Sequence, residues 1–414
     1  MKFSKLALSL FGLTLVSGLI IGQTFTLALG QSRRQPPVTT EKKNKRPPEP
    51  GQQQPEQKPD EPAPPDLVGK PQDADKVTIS TQIVNVDTVV YHKKSGQIVT
   101  GLKKENFAIF TDDKVKQTIT NFSTPEAPIT AALVVEYSKL SEDLGSSSGG
   151  YFEPGTYEVI RPVAMFLSQF IKPPDDYASV IAFDMRPTPL TDFTNDPARL
   201  NQVVNLLLRN TPAFRETNLF DALKFVLVGG RGDSVVLDDS KEEKSDYAGL
   251  ASVQGRRRAV ILVASGIDTF SKINYGDARK ILQNSGVPVY IIGTGNHFFK
   301  KYGDRLGATD SLLGDPGRMT FLQAQNALKT FANETGGAYF PMTFDGEIPK
   351  ILGSINSLLR SQYSLAFNPG DVRDGKQHKI KVSVDVNGDG VYDDKEFTIQ
   401  ARSVYNSPKP EGAK

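Results

Sequence analysis

The residues best suited to a chemical role lie near the end of the chain, in the stretch DVNGDGVYDDKE at positions 385–396. Its spacing matches the calcium-loop pattern D-x-[DN]-x-[DN]-G-x5-E at every fixed position. The pattern predicts side-chain oxygen ligands at its first, third and fifth positions, a backbone carbonyl, a water-mediated acid and a closing bidentate carboxylate. In this sequence the ligands would be Asp385, Asn387, Asp389, the carbonyl of Val391, Asp393 and Glu396.

The surroundings of this loop leave two interpretations open. Strands rather than helices are predicted on both sides, and Asn-Gly and Asp-Gly are also the residue pairs of tight hairpin turns. Five acidic residues within twelve positions repel one another unless a cation neutralises them, and a plain hairpin tip does not need such a cluster. We therefore predict a structural Ca²⁺ ion that stiffens a hairpin, with a polar hairpin tip as the alternative.

A second candidate site follows a strongly apolar strand. The segment Ile129–Glu136 (ITAALVVE) is a short apolar run that ends in the polar residues Glu136-Tyr137-Ser138. Such a run predicts a buried strand of a parallel sheet. Ligands of doubly wound sheets bind beyond the carboxyl ends of the strands. Glu136 and Ser138 therefore lie where a ligand site is expected, although the same residues could simply end the strand.

The chain divides into regions with different secondary-structure patterns. Strands and helices alternate along residues 126–361, which predicts an α/β domain with a doubly wound, mostly parallel sheet. Residues 77–125 and 362–405 show strand signals only, so we predict a second, β-sandwich-like domain built from both flanks. We predict a tail at residues 406–414 and a long polar surface loop at residues 229–258.

The N-terminal residues predict export. Lys2 and Lys5 precede an apolar stretch, and Ala28-Leu29-Gly30 supplies small residues suited to signal peptidase, so residues 1–30 are predicted to be a secretory signal peptide. An uncleaved membrane anchor is the alternative, because the apolar stretch nearly reaches spanning length. Residues 31–76 are rich in proline and glutamine and predict a disordered linker. Either alternative predicts an exported protein that is periplasmic, associated with the cell envelope or secreted.

Composition excludes several classes of site in this chain of 414 residues. It contains no cysteine, which rules out disulfides, zinc–thiolate sites and a cysteine nucleophile. It contains only three histidines, so we do not expect a histidine-based catalytic or metal cluster. The formal net charge is +2 and no basic stripe with interleaved aromatic residues stands out, so we do not expect nucleic-acid binding.

Several segments, by their order and spacing, resemble von Willebrand factor A domains. They are the strand that ends at Glu136, Thr217 within RETNLFDAL, the segment VILVASGID at 260–268 and FANETGGAYF at 331–340. The flanking segments VTGLKKENFAIF at 99–110 and DGKQHKIKV at 374–382 resemble the von Willebrand factor A-related proteins that are abundant in acidobacteria. The resemblance covers residues 79–405 and implies a bacterial protein with a Rossmann-like α/β domain.

The resemblance also implies a metal-ion-dependent adhesion site at the carboxyl end of the sheet. The family's pattern is Asp-x-Ser-x-Ser after the first strand, then a Thr, then an Asp after a later strand. The matching positions here are Glu136, Ser138, Leu140, Thr217 and Ser265. Leu140 cannot coordinate a cation, Glu136 reaches further than Asp, and Ser265 replaces the second acid. We therefore predict a degenerate site, formed by Glu136, Ser138, Thr217 and Ser265, that does not favour Mg²⁺.

Together these features predict an exported, non-enzymatic, adhesion-like module that binds another protein. We expect the partner in the cell envelope or outside the cell, and membrane contact only through an uncleaved N-terminal anchor. The alternatives are a hydrolase or other enzyme that uses the carboxyl edge of the parallel sheet, and a purely structural envelope component. The sequence contains no P-loop or G-x-S-x-G motif, and no histidine lies at a predictable distance from Ser138, which favours the non-enzymatic interpretation.

Overall fold

The computed structural model describes residues 83–125, 127–143, 146–148, 151–233, 244–253, 256–311, 315–370 and 372–409. The predicted signal peptide or anchor (1–30) and the predicted linker (31–76) lie outside these residues. Within them, no helix combines the length and the apolar character needed to cross a bilayer.

Strands and helices alternate along most of the described chain. The strands are β1 (Val84–His92), β2 (Phe107–Thr111), β3 (Val115–Gln117), β4 (Ile119–Ser123), β5 (Ile129–Glu136), β6 (Ser146–Ser148), β7 (Tyr151–Glu153), β8 (Tyr177–Phe183), β9 (Pro187–Thr194), β10 (Gly230–Asp233), β11 (Lys244–Tyr247), β12 (Arg257–Ala264), β13 (Val289–Gly293), β14 (Tyr339–Pro341), β15 (Tyr363–Phe367), β16 (Gln377–Val384), β17 (Phe397–Ala401) and β18 (Val404–Asn406). The α-helices are α1 (Lys139–Asp143), α2 (Thr156–Gln169), α3 (Pro197–Arg209), α4 (Leu219–Val228), α5 (Tyr275–Ser285), α6 (Gly295–Tyr302), α7 (Arg318–Thr335) and α8 (Ile348–Arg360). Short 3-10 helices lie at Lys104–Asn106, Leu250–Ser252, Gly303–Arg305 and Asp345–Glu347.

A six-stranded sheet forms the centre of the α/β region, in the order β14-β13-β12-β5-β8-β9. Its strands are parallel except for β9, which pairs antiparallel with β8 at one edge. All eight residues of β5 are buried, because α2, α3 and α8 pack on one face of the sheet and α4, α5 and α7 on the other. Covering both faces explains why the strand sequences are continuously apolar rather than alternating. The predicted doubly wound, mostly parallel sheet is confirmed.

Local sequence signals fix the ends of the helices. α3 begins after Asp196, whose carboxylate accepts a hydrogen bond from the amide of Ala198 (2.8 Å), and Pro197 occupies its first position. α7 ends at Gly336, which has a φ of 83° in the left-handed region that favours glycine. This cap returns the chain to the amino edge of the sheet, where β14 begins.

Strands from both flanks of the α/β region pair with one another in two antiparallel sheets. One sheet has the order β17-β1-β15-β4 and the other has the order β18-β16-β2-β3. β1 and β4 precede the α/β region in sequence, whereas β15 and β17 follow it, so this sheet requires both flanks to come together. Side chains from both sheets share one hydrophobic cluster, which includes the aromatic rings of Phe107, Tyr363, Phe367 and Tyr405.

These two sheets pack against the amino ends of the parallel strands. Gln400 donates a hydrogen bond to the carbonyl of Gly337, just before β14 (3.0 Å). The buried guanidinium of Arg402 donates to the carbonyl of Gln283, ahead of β13, and to that of Asn85 in β1 (3.3 Å). Burial lowers the pKa of Arg402 to about 10. The carboxyl edge of the parallel sheet therefore lies at the end of the α/β region remote from the antiparallel sheets.

The stretch 229–258 contains more structure than a surface loop. β10 and β11 pair antiparallel, and Tyr247, Leu250 and Val253 are buried in the core of the α/β region. The hydroxyl of Tyr247 lies 2.9 Å from that of Ser179 in β8. The surface-loop prediction is therefore wrong for residues 244–253, because a short apolar segment follows the polar, acidic part of the stretch.

The chain also stays packed at the start of the predicted tail. β18 includes Asn406, whose side chain donates a hydrogen bond to that of Asn284 (2.7 Å). Ser407 is buried, and its hydroxyl donates to the carboxylate of Asp374. The packed β region therefore extends beyond the boundary drawn at residue 405.

Candidate functional site

The carboxyl edge of the parallel sheet contains the point at which the strand order reverses. Numbered by their sequence in the chain, the six strands run 3-2-1-4-5-6 across the sheet, so the reversal falls between β5 and β12. In open α/β sheets the ligand crevice lies outside the carboxyl ends of the strands at this switch point. Glu136 is the last residue of β5, and Ser265 follows the last residue of β12. Two residues of the implied adhesion site therefore lie at the switch point.

Glu136 and Ser265 bond directly to each other there. One carboxylate oxygen of Glu136 accepts hydrogen bonds from the amide (2.7 Å) and the hydroxyl (2.8 Å) of Ser265. The other oxygen accepts a longer bond from the hydroxyl of Ser138 (3.4 Å). All three residues are buried. The structure thus brings together Glu136, Ser138 and Ser265, which we call the Glu136 group.

Burial controls the protonation of Glu136. Desolvation raises the pKa of its carboxyl group above the ordinary value, and the hydrogen bonds from Ser265 and Ser138 oppose that shift. The donors are one backbone amide and two hydroxyls, which carry no charge. The carboxyl group therefore binds a proton more readily in the folded protein than in the unfolded chain.

Thr217 and Leu140 form other contacts. The hydroxyl of Thr217 donates to the carbonyl of Ile267 (2.8 Å), and its amide donates to the hydroxyl of Thr269 (2.9 Å). Thr217 therefore fixes the loop that follows β12. Leu140 is buried in a small apolar cluster with Ile267 and Phe321. Both residues stabilise the loops around the switch point. The side chain of Leu140 is hydrocarbon and has no atom that could coordinate a cation.

The contacts of the Glu136 group do not fit a Mg²⁺ ion. Mg²⁺ takes near-octahedral oxygen ligands at about 2.0–2.1 Å. Both oxygens of the Glu136 carboxylate already accept hydrogen bonds from protein groups. Ser265, which stands where the family pattern has a second acid, uses its hydroxyl as a donor to Glu136. The polar atoms of this group thus satisfy one another.

The predicted calcium loop folds around the carboxylate of Asp385. That carboxylate accepts hydrogen bonds from the amides of Gly388 (2.7 Å), Asp389 (3.2 Å) and Gly390 (2.8 Å). Gly388 and Gly390 have φ values of 79° and 89°. Residues with a side chain rarely adopt such angles, so the tight turn explains glycine at both positions.

The other predicted calcium ligands surround this turn. The Asn387 side-chain oxygen accepts from the amide of Asp389 (3.0 Å), and the Asp393 carboxylate accepts from that of Val386 (2.8 Å). Glu396 is exposed. Among the described residues, the acids of this loop do not form a set of three whose ligand atoms all lie within 4.8 Å of one another. Calcium binding would require Glu396 to move towards the turn. The ligand assignment stays a prediction for all six positions: Asp385, Asn387, Asp389, Val391, Asp393 and Glu396.

Sequence reasoning missed a cluster of potential metal ligands at the carboxyl edge. Glu158 lies in the first turn of α2, His297 in α6 just after β13, and Asp345 in the 3-10 helix that follows β14. Nδ1 of His297 lies 3.5 Å from a Glu158 oxygen and 3.8 Å from an Asp345 oxygen. The three side chains could hold a metal ion, contrary to the expectation drawn from the small number of histidines. No spacing signal in the sequence links them, because they come from three separate elements.

Large apolar side chains are also exposed at this edge. In the described α/β region, the exposed large apolar residues lie in the loops that follow β12 and β14, near the ends of α3, α5 and α7, or, for Phe214, in the loop between α3 and α4. The carbonyl of Phe214 accepts a hydrogen bond from the amide of Lys139, just after β5 (2.7 Å), so this loop also lies at the carboxyl edge. These apolar residues are between 36% and 55% exposed. We call this set the apolar edge: Leu208, Phe214, Phe270, Tyr275, Met319, Leu322 and Phe344.

A cleft of 240 Å³ opens at the carboxyl end of β8. Its walls include Tyr137, Phe183, Leu190, Leu207 and Pro212, and they are mostly apolar. The hydroxyl of Tyr137 donates to the carbonyl of Leu207 (2.8 Å), and burial raises the pKa of that hydroxyl to about 12. The cleft adds a concave apolar surface to the carboxyl edge.

Comparison with known proteins finds likenesses among solved structures. No protein-family model matches the chain, and no curated protein matches it. One similar structure is proximal thread matrix protein 1 from the mussel byssus, at 13% identity over 60% of this chain and 50% of that chain, with a TM-score of 0.37. Another is the vWF domain of the type V pili tip protein Mfa5 from Porphyromonas gingivalis, at 14% identity over 57% of this chain and 96% of that chain, with a TM-score of 0.33. The PilB minor pilin from Streptococcus sanguinis matches at 12% identity over 59% and 63% of the two chains, with a TM-score of 0.38.

These likenesses concern the fold alone. The chain spans half the length of the mussel protein. A second structure of that protein has zinc in its metal-ion-dependent adhesion site (MIDAS) motif. Identities of 12–14% and TM-scores of 0.33–0.38 carry nothing about ligands or partners of this chain. The resemblance predicted from the sequence is confirmed at the level of the fold, since the sheet is doubly wound and mostly parallel and the matching positions Glu136 and Ser265 meet at its switch point.

Proposed function

We propose that the protein is an exported, non-enzymatic, adhesion-like module that binds another protein through the carboxyl edge of its α/β domain. The observation that carries this proposal is the apolar edge. Large apolar side chains exposed along one edge of a domain favour contact with a partner protein. Five of the seven residues in the set are aromatic residues or methionine, the types enriched in protein interfaces.

In this proposal the two antiparallel sheets act as one β-sandwich-like domain, built from residues 77–125 and 362–405, into which the α/β domain of residues 126–361 is inserted. The hydrophobic cluster shared by the two sheets supports this division. The contacts of Gln400 and Arg402 with the α/β domain hold the two domains together at the amino edge. The carboxyl edge stays accessible to a partner.

The N-terminal sequence supports export, because residues 1–30 have the pattern of a signal peptide or anchor and residues 31–76 that of an extended linker. A Ca²⁺ ion in the loop at 385–396 would stiffen the β domain. The closed hydrogen bonding of the Glu136 group supports a structural role at the switch point rather than a reaction centre or a Mg²⁺ site. The partner would then bind by surface complementarity.

Two matched double variants test the apolar edge. F270S/F344S removes side chains that are 50% and 55% exposed at this edge, and V115S/V372S removes side chains that are 56% and 40% exposed in the β region. The measurement is saturable binding of labelled, folded protein to cell-envelope preparations of the organism that produces it. We expect F270S/F344S to weaken binding by about 10-fold or more, since two interface anchors of about 1 kcal/mol each suffice for such a loss.

The control pair V115S/V372S should bind like the unaltered protein. Equal binding by both variants would contradict the proposal, as would a loss confined to V115S/V372S. Thermal unfolding of each variant establishes that the mutated proteins are folded before binding is compared.

A further inference from the structure

We propose that Glu158, His297 and Asp345 form a binding site for a divalent transition-metal ion of the zinc class. Three elements that are distant in sequence bring these side chains together: α2, α6 and the 3-10 helix Asp345–Glu347. Imidazole nitrogen and carboxylate oxygen are both among the ligands that Zn²⁺ takes in proteins. Mg²⁺ and Ca²⁺ instead prefer oxygen ligands alone. The site is separate from the Glu136 group and from the loop at 385–396, so this inference goes beyond the proposed function.

The distances in the cluster suit ligands of one ion better than hydrogen bonds. Ligand atoms about 2.0–2.2 Å from a tetrahedral Zn²⁺ ion lie about 3.4 Å from one another. Nδ1 of His297 lies 3.5 Å and 3.8 Å from the two carboxylate oxygens. An N–H···O hydrogen bond is normally 2.7–3.2 Å long, and both separations exceed this range. The three ligand atoms all lie within 4.8 Å of one another, so a contraction of the cluster would bring them around one ion.

His378 provides an internal contrast, because it also lies between two carboxylates. Its Nδ1 is 2.7 Å from Asp112 and its Nε2 is 3.1 Å from Asp374, so each carboxylate meets a different ring nitrogen at hydrogen-bond distance. One ion cannot replace both of these bonds. At His297 the two carboxylates approach the same nitrogen, which is the arrangement that a shared ion requires.

The second shell and the charge of the cluster also favour a cation. One oxygen of Asp345 accepts a hydrogen bond from Arg161 (2.6 Å), which orients the carboxylate as outer-shell partners of metal ligands do. The other oxygen is buried and accepts no hydrogen bond within the described chain, and a buried acceptor of this kind calls for a partner. Glu158 and Asp345 each contribute a carboxylate, the kind of group whose negative charge a bound cation neutralises.

Three protein ligands leave the fourth tetrahedral position of a zinc-class ion open, and a water molecule would complete it. Because α2, α6 and the segment after β14 each supply one ligand, the ion would tie together three elements at the carboxyl edge. Metal binding should therefore stabilise this edge against local opening as well as raise the thermal stability of the protein.

Calorimetric titration of tag-free protein with Zn²⁺ tests the site, with visible absorption of the Co²⁺-substituted protein as a second readout of tetrahedral coordination. We expect one Zn²⁺ ion per chain. H297Q and E158Q should each weaken binding by about 100-fold or more, beyond the 10–100-fold typical for the loss of an outer-shell partner. H378Q should leave binding unchanged, and excess Ca²⁺ or Mg²⁺ should not displace the Zn²⁺ ion.

Unchanged Zn²⁺ affinity in folded H297Q and E158Q would overturn the proposal, as would a loss of binding in H378Q alone or no binding by the unaltered protein. Circular dichroism establishes folding of each variant. If H297Q does not fold, E158Q decides the question, because glutamine keeps the size of the glutamate side chain.

Discussion

Replacing Glu136 by Gln tests how the switch point of the sheet is held together. The substitution replaces the ionisable carboxyl of residue 136 by an amide of the same size that keeps one acceptor oxygen. In the folded protein, the carboxylate receives three hydrogen bonds from uncharged donors, each worth about 1.5–3 kcal/mol at best when the acceptor is ionised. Complete burial disfavours the charged form by several kcal/mol of lost hydration. The raised pKa of Glu136 indicates that this loss exceeds the stabilisation from the hydrogen bonds.

The sign of the pH dependence follows from that raised pKa. The unfolded value is about 4.3, so the favourable contribution of protonated Glu136 is complete below this pH and is lost as the pH rises through the higher, folded-state pKa. Within this window one bound proton changes the free energy of unfolding by up to about 1.4 kcal/mol per pH unit. E136Q cannot bind this proton, so its free energy of unfolding should lack this part of the pH dependence.

The assay is urea unfolding of the unaltered protein and of E136Q from pH 4 to pH 8, without divalent cations and again with Mg²⁺. We expect the difference in unfolding free energy to move in favour of E136Q as the pH rises, and Mg²⁺ to have no effect that depends on Glu136. Parallel pH profiles would refute the reasoning. A profile that increasingly favours the unaltered protein at high pH, enhanced by Mg²⁺, would show that Glu136 binds a cation.

Three further substitutions probe other parts of the molecule. R402M should lower the free energy of unfolding by about 2–4 kcal/mol in urea, because the carbonyls of Gln283 and Asn85 lose their charged donor. A change below about 1 kcal/mol would contradict the proposed docking of the two domains. D389N keeps a side-chain oxygen that can accept the hydrogen bond from the amide of Val391 (2.8 Å), so its melting temperature in EDTA should equal that of the unaltered protein. The rise in melting temperature on adding Ca²⁺ should be smaller in D389N. An equal rise would exclude the loop at 385–396 as the calcium site. Y247F removes a buried hydroxyl that lies 2.9 Å from that of Ser179 and should destabilise the protein by about 1–2 kcal/mol, whereas a neutral result would show that residues 244–253 contribute little to the core.

The fold was predictable wherever the sequence pattern is local. The run ITAALVVE forms β5 over the predicted residues 129–136, because a continuous β-branched and apolar segment has few alternatives to a strand buried on both faces. β9 was missed because Pro187 and Pro189 weaken its strand signal, and its place at the edge of the sheet explains why proline is tolerated there. The buried segment 244–253 was missed because the acidic residues before it dominate the composition of the stretch.

The candidate sites were predictable only where a motif or a resemblance named the residues. Glu136, Ser138 and Ser265 meet as the resemblance implies, but the sequence does not reveal that their polar atoms satisfy one another. The grouping of Glu158, His297 and Asp345 depends on how the segments after β13 and β14 turn over the sheet edge. Such a juxtaposition is a property of the tertiary fold and has no local signal.

Site-directed photo-crosslinking tests the central claim, that the carboxyl edge of the α/β domain is the surface that binds a partner. A photoreactive phenylalanine analogue placed at Phe270 or Phe344 samples the apolar edge, and the same analogue at Val372 samples an exposed position of the β region. The account predicts one discrete protein adduct from Phe270 and Phe344, in the organism that produces the protein, and none from Val372. An adduct from Val372 alone, or equal adducts from all three positions, would contradict it.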